Sequence, residues 1–417
     1  MYAHENHRHH NPSLTSWNRQ ELAVQVETDT GIHGWGEAYT QADCDQTIET
    51  HIHQLAKYLE GRSPFDIKHF SHWAYHDYGG KRGAMELYCA MSAIDHALWE
   101  ICGKASEQPV YNLLGGKCRE RIRVYANGWG GGSSAAQIAE KAVKVVERGF
   151  TALKFDPFPG RWRTIIDRDV EVEAVNRVKA VGSDIEILVE VHRRLSPLHA
   201  IRVAREIEPY RPYWYEEPVS ARDPNGLAEA KHNISLPIVT GEELYTKSEF
   251  RDIFEKRAAD IINPDVCNCG GILELKEIAA MAEVYHVAVS PHNYNSTTIG
   301  LAATLHASAT MPNFLITEYF LNFEPIGAEI ATPAFEVEDS HIRLPEPPGL
   351  GIDLDESALA NRPYQPFKPR SFPPKRRTLI FVSQVASRRP SFCHLSLETD
   401  ISAAHLKHQN SKLVSPR

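Results

Sequence analysis

Residues 185–190 read IEILVE, residues 212–216 PYWYE and residues 237–242 PIVTGE, three short apolar runs that each end on a glutamate. The series continues through IINPD (261–265), HVAVSPH (286–292) and FLITE (314–318). Its terminal polar residues are Glu190, Glu216, Glu242, Asp265, His292 and Glu318, at steps of 26, 26, 23, 27 and 26 residues. One strand, one helix and two short loops occupy about that length, so the series predicts one acidic or basic group per βα unit. In a parallel barrel the C-terminal strand ends share one rim, where catalytic groups gather. Three glutamates crowded there repel one another unless a divalent cation sits between them, and hard oxygen ligands favour Mg²⁺.

The rhythm extends outward from this series. RIRVYAN (121–127) predicts the first barrel strand and TALKFDP (151–157) the second, with SAAQIAEKAVKVVERG (134–149) a helix between them, capped by Ser134 and stopped at Gly149. Helical patterns follow each later strand, giving eight strands alternating with helices over residues 121–330. Residues 1–120 lack this rhythm. There QELAVQVET (20–28) and IHGWGEA (32–38) read as strands around the turn DTG, and AMELYCAMSAIDHALWEICGK (84–104) reads as one long helix, which together predict a small α+β domain. Residues 331–361 are polar and loop-rich, with no ninth unit, and are expected to run back over that domain. Residues 362–417 are Pro-rich and basic and read as a disordered tail.

Charge divides the same way. The chain of 417 residues has a net charge of −9, yet its last 56 residues carry 11 Lys/Arg against 2 Asp/Glu. The body is therefore strongly acidic, which argues against a nucleic-acid-binding core. No apolar stretch reaches the roughly 18 residues that a membrane span needs, and the polar N-terminus lacks the apolar core of a secretory signal. The seven cysteines are scattered and odd in number, as reduced thiols of a cytoplasmic protein are. Cys267 and Cys269 have no second thiol pair to complete a metal site.

Several stretches together resemble the enolase superfamily, in its mandelate racemase-like branch and nearest the galactonate dehydratase type. They are VETDTGIHGWGEA (26–38), SAIDHALWEICGK (92–104), PVYNLLGG (109–116), WYEEP (214–218), TGEE (240–243), Pro264-Asp265 followed by GGI (270–272), and SPH (290–292). The resemblance covers roughly residues 20–361. It implies a modified (β/α)₇β TIM barrel with an α+β N-terminal capping domain that is completed by a C-terminal segment. By that resemblance Glu190, Glu216 and Glu242 hold Mg²⁺, with Mn²⁺ a substitute. His292 and Asp265 form a His–Asp dyad that removes a proton, and His192 takes the place of a general acid. Glu318 takes the acidic position on the last strand, and Lys154 sits where racemases and some dehydratases begin a Lys-x-Lys pair.

Asp156 replaces the second lysine of that pair, which removes one of the two bases a racemase needs and favours His292 acting alone. Asp156, Asn127, Tyr125 and Arg193 are expected to face the substrate. Glu190 departs from the aspartate usual at its position. Relatives also begin with one strand more, which is expected to be missing here, leaving the His-rich start (His4, His7, His9, His10) as a loop over the site. The implied activity is dehydration of an aldonate to a 2-keto-3-deoxy acid by a homo-oligomer. A sugar-lactone cycloisomerase, another enolate reaction, or a paralogue that folds without turning over are the other readings.

Physical chemistry supports the same assignment of roles. A proton α to a carboxylate is very weakly acidic, and a cation clamped on that carboxylate neutralises the charge that develops. Imidazole has a suitable basicity, and a carboxylate partner fixes its tautomer.

Overall fold

A computed structural model describes residues 2–10, 20–41, 44–79, 84–132, 134–159, 168–182, 185–294, 296–361, 381–382 and 397–398. Three antiparallel strands, β1 (Tyr2–His10), β2 (Gln20–Glu27) and β3 (His33–Ala38), form the N-terminal sheet in the order β1-β2-β3. The expected loss of the first strand is thereby corrected. The His-rich start is not a free loop; its backbone pairs with β2, Tyr2 opposite Glu27 and His10 opposite Gln20, with a register shift between His4 and His7. Single-sequence alternation missed it because HENHRHH carries no apolar face for a strand reading to use.

The helix Met85–Ala105 lies on this sheet and is buried along nearly its whole length. Its approach depends on two glycines. A Cβ on Gly34 would stand 2.1 Å from Ala97 O, and one on Gly36 would stand 1.8 Å from Ala93 O. The GWG spacing thus presents a bare strip of strand to the Ala93/Ala97 face of the helix, while Trp35 is buried on the other side of the sheet.

The barrel follows. Its strands are β4 (Arg121–Asn127), β5 (Ala152–Phe155), β6 (Glu186–Glu190), β7 (Trp214–Glu216), β8 (Ile238–Thr240), β9 (Ile261–Ile262), β10 (Ala288–Val289) and β11 (Thr317–Phe320). They pair in the order β10-β9-β8-β7-β6-β5-β4-β11, all parallel. Leu315 N donates to Val289 O, closing the ring between the segments of β10 and β11. The helices begin where the sequence predicts, with Ser134 accepting from Gln137 N and Ser196 from His199 N. Short strands β12 (Ala331–Thr332), β13 (His341–Arg343) and β14 (Asp353–Leu354) follow, β13 running antiparallel to the start of β4. The return to the capping domain is made through Leu350 N, which donates to Glu100 Oε2, and Gln25 Nε2, which donates to Glu356 Oε1.

Residues 1–367 form one compact unit and residues 368–417 a second. The tail expectation falls outside the described residues, save for the antiparallel pair β15 (Phe381–Val382) and β16 (Leu397–Glu398). Among the described residues no helix is long and apolar enough to cross a membrane.

Capping domain and barrel are joined by carboxylates set against helix starts. Asp95 Oδ1 accepts from Ile272 N, and Ser92 Oγ accepts from Gly270 N. Glu37 accepts from Thr297 N, Thr297 Oγ1 and Gly300 N at 2.7–2.8 Å. These contacts satisfy orphan N–H groups at the first turns of two barrel helices. They also fix the loops that carry Asp265 and His292. Burial pushes the Glu37 carboxyl up to about 7 in spite of its three donors. Since the folded value lies above the ordinary 4.5, the native state holds this proton more tightly than the unfolded chain. Its contribution is intact below 4.5 and is lost as pH rises through 7. The stability of wild type relative to Glu37→Gln is expected to fall by about 2.5 kcal/mol between pH 5 and pH 8. Denaturant melts at both pH values check this; a pH-independent difference would mean Glu37 is ionised throughout.

Candidate active site

Strand alternation builds the site in two layers. Tyr125, Ala152, Leu188, Trp214, Ile261 and Ile316 form, with Val239, an apolar plug inside the barrel. Two residues further along the same strands or their continuations stand Asn127, Lys154, Glu190, Glu216, Asn263 and Glu318, facing the same way. The plug closes the barrel from below, so these polar groups line its mouth, all of them buried except the half-buried Asn127. Glu242, Asp265 and His292 lie two or three residues past the ends of β8, β9 and β10, and the bridge between Asp265 and His292 extends the sheet there.

Glu190, Glu216 and Glu242 each offer one carboxylate oxygen within 4.8 Å of the others. Glu216 is held on both oxygens: Oε1 accepts from Lys154 Nζ (3.0 Å) and Asn263 Nδ2 (2.9 Å), and Oε2 from Trp214 Nε1 (2.9 Å). Burial and the adjacent Glu190 push Glu216 well above the ordinary carboxylate range. Glu190 Oε1 accepts from His192 N at 2.6 Å, while its buried Oε2 has no hydrogen-bond partner and lies 3.7 Å from Lys154 Nζ. An all-oxygen donor set, carboxylates compressed against one another and a buried oxygen without a donor fit a hard divalent cation. The acid-rich site also raises Lys154: burial opposes its charge, but Glu216 and Glu318 outweigh it.

His292 forms the expected dyad. Its Nδ1 lies 2.6 Å from Asp265 Oδ2, and Nε2 lies 3.0 Å from Glu242 Oε2 and 3.5 Å from Glu318 Oε2. Burial disfavours an imidazolium there, but Glu242 and Glu318 outweigh it and raise His292 well above its ordinary value. Glu318 is fully buried and is held by Asn127 Nδ2, by Asn293 N at 3.1 Å and by Lys154 at 3.3 Å. The ring of Tyr39, from the end of the capping sheet, meets His292 edge-on at 6.3 Å, and Tyr294 stands 6.0 Å away on the imidazole. His192 is different in kind. Its side chain is 50% exposed, which leaves it open to the pocket mouth, and its Nδ1 lies 3.1 Å from Asp156 Oδ2.

Three residues expected to face a substrate are placed otherwise. Tyr125 belongs to the apolar plug, fully buried beneath Lys154, whose Nζ is 5.4 Å from the ring centroid. Arg193 turns inward, its Nε donating to Glu217 Oε2 at 3.0 Å and its Nη2 to Glu242. Buried Glu217 and its neighbour Glu242 therefore capture it. Asp156 is engaged on both oxygens, by Phe158 N and by His192 and Arg194. Asn127 stays in the polar layer as a donor to Glu318. Asn263 and Trp214, which orient Glu216, stand in the quoted IINPD and WYEEP stretches but are not among the expected site residues. Their only signal was strand parity, Asn263 two residues after Ile261 and Trp214 two before Glu216.

Residues 2–115 match the family described as mandelate racemase / muconate lactonizing enzyme, N-terminal domain, and residues 137–358 match the enolase C-terminal domain-like family. The chain belongs to the enolase superfamily. Its place is the mandelate racemase/muconate lactonizing enzyme branch, with relatives of the galactonate dehydratase type. D-galactonate dehydratase of Ralstonia pickettii is 36% identical over 352 residues, 82% of this chain and 90% of that protein. D-gluconate dehydratase of Thermoproteus tenax is 36% identical over 349 residues, 82% of this chain and 70% of that one. Among solved structures, a mandelate racemase/muconate lactonizing enzyme from a Sulfitobacter species superposes with a TM-score of 0.80 at 33% identity, covering 87% of this chain and 94% of that one. The capping sheet and the barrel of this chain are thus those of an enolase-superfamily protein.

Proposed function

We propose that this protein is a sugar-acid dehydratase, dependent on Mg²⁺, that converts an aldonate to its 2-keto-3-deoxy acid. The observation that carries the reading is a carboxylate trio within 4.8 Å, with a buried His–Asp dyad against one member and an exposed His beside another. The relatives named for galactonate and gluconate support the substrate class. Glu190, Glu216 and Glu242 would hold the cation, which supplies charge neutralisation to a bound carboxylate.

The chain's own groups then divide the proton transfers. His292 Nε2, held by Asp265, takes the C2 proton, so that electron density moves onto the substrate carboxylate as an ene-diolate. His192 gives a proton to the 3-hydroxyl, the C3–O bond breaks, water departs and the resulting enol tautomerises to the keto acid. Lys154, Asn263 and Trp214 keep Glu216 oriented throughout. Buried Glu318, bound by Asn127 and Asn293, faces His292 and helps hold its positive charge once the proton has arrived. A racemase reading is disfavoured because Asp156, where a second lysine base would stand, is tied to His192 and Arg194.

Incubation with a panel of aldonates, aldarates and sugar lactones, with 2-keto acid detected by semicarbazide, tests the reading. Lactone consumption without keto acid would point to a cycloisomerase. No product from any sugar acid would leave a folded, inactive paralogue.

Glu190→Asp separates this site from the usual one. Here Oε1 is pinned by His192 N, and the carboxylate also offers an oxygen within 4.8 Å of those of Glu216 and Glu242, so the longer side chain spans both tasks. Shortening it gives up one contact, and Mg²⁺ affinity is expected to fall about tenfold. Calorimetric titration checks it; unchanged affinity would show that the backbone closes the gap.

A further inference from the structure

We propose that Asp156 is a positioning residue for His192, making a second His–carboxylate pair that aims the proton for the departing hydroxyl. The inference rests on the dehydratase reading and assigns it a further residue. The carboxylate of Asp156 is fixed first: Oδ1 accepts from Phe158 N at 3.0 Å. Oδ2 then takes both His192 Nδ1, at 3.1 Å, and Arg194 Nη2. Arg194 is itself anchored, with Nε donating to Val191 O at 2.7 Å and its guanidinium 5.5 Å from the centroid of the Phe158 ring. A carboxylate only accepts, so Nδ1 must be the donor to Asp156. That leaves Nε2 as the atom that exchanges a proton with a ligand.

The backbone supports the same reading. His192 and Arg193 sit at φ +53° and +54°, two successive left-handed residues with no glycine or asparagine between them. Such a conformation persists where surrounding contacts hold it, and functional sites are where it concentrates. His192 N to Glu190 Oε1, Arg193 N to Glu217 O at 2.7 Å, and the Arg193 side chain on Glu217 provide those contacts. The turn thus fixes where the imidazole starts, and Asp156 fixes how the ring is rotated.

The two pairs also differ in exposure. In the His292–Asp265 pair the side chains are 4% and 0% exposed, and in the His192–Asp156 pair 50% and 26%. The exposure of His192 lets water recharge the donor after each turnover. In the step itself the Nε2 proton of His192 passes to the 3-hydroxyl oxygen and the C3–O bond breaks with its electron pair. Water leaves, the ene-diolate electrons form the C2–C3 double bond, and neutral His192 regains a proton from solvent. Asp156 keeps its charge.

The test compares Asp156→Ala, Asp156→Asn, His192→Asn and the double variant His192→Asn/Asp156→Ala with wild type in D₂O. Proton NMR follows C2–H exchange and semicarbazide follows keto acid, on an aldonate that wild type turns over. Mg²⁺ titration and thermal melts check that each variant is folded. Dehydration is expected to fall about 100-fold in both Asp156 variants while C2 exchange stays within about threefold of wild type. His192→Asn should show the same split, and the double variant should be no slower than His192→Asn alone. Equal loss of exchange and dehydration in folded Asp156 variants, or a further multiplicative loss in the double variant, overturns this inference alone. A wild type that neither exchanges nor dehydrates overturns the dehydratase reading, and this inference with it.

Discussion

Replacing His292 by Asn stops both C2 exchange and dehydration, a loss of at least about 1,000-fold, or ~4 kcal/mol of barrier. Asparagine keeps a polar group near Asp265 but has no site that accepts a proton at neutral pH. Because proton removal precedes departure of the hydroxyl, both readouts fall together, unlike the split expected on the His192 side. The change also takes a partner from the fully buried Asp265, whose carboxyl burial already raises above its ordinary value. Some loss of stability therefore accompanies it. Mg²⁺ affinity measured on the folded variant separates the two effects. Exchange surviving at a tenth of the wild-type rate would mean that another group is the base, and the dyad assignment would fall.

The second large effect is on the metal. Chelation by EDTA is expected to remove activity, added Mg²⁺ to restore it and Mn²⁺ to substitute. Glu216→Gln should weaken Mg²⁺ binding on the order of 100-fold or more, since it deletes an anionic ligand and not merely an outer partner. Without metal, an amide at Glu216 removes one anion from beside Glu190 but turns an NH₂ toward one of the donors that Lys154, Asn263 and Trp214 present. The rise in Tm that Mg²⁺ gives wild type should vanish in Glu216→Gln. A variant that still gains several degrees with Mg²⁺ would place the cation elsewhere.

The contrast between Glu216 and Glu242 shows how position governs otherwise similar groups. Burial opposes ionisation of both, but His292 and Arg193 outweigh it at Glu242 and hold it well below the usual range. Glu216 has Lys154 beside it but faces two anions, Glu190 and Glu242. No spacing argument distinguishes two glutamates 26 residues apart. The difference comes from which charges the closed barrel brings to each.

Much of the architecture was legible in the order of residues alone. The step between Glu190, Glu216, Glu242, Asp265, His292 and Glu318 is set by the length of a βα unit, and the side-chain period of a strand points Lys154, Glu190 and Glu318 to the inside. Both are local regularities, and local regularities survive in a one-dimensional string. Tertiary structure decided what those regularities leave open. It placed Tyr125 in the plug and turned Arg193 onto Glu217 and Glu242. It drew Asp156 to His192 and Arg194, paired Tyr2–His10 with β2, and set Glu37 and Asp95 as caps on barrel helices. For Arg193, Asp156, Glu37 and Asp95 the outcome turns on which partner a charged side chain meets first in space. A buried donor or charge is driven to the nearest complementary group, and that neighbour is chosen by the closure of the barrel rather than by position in the chain.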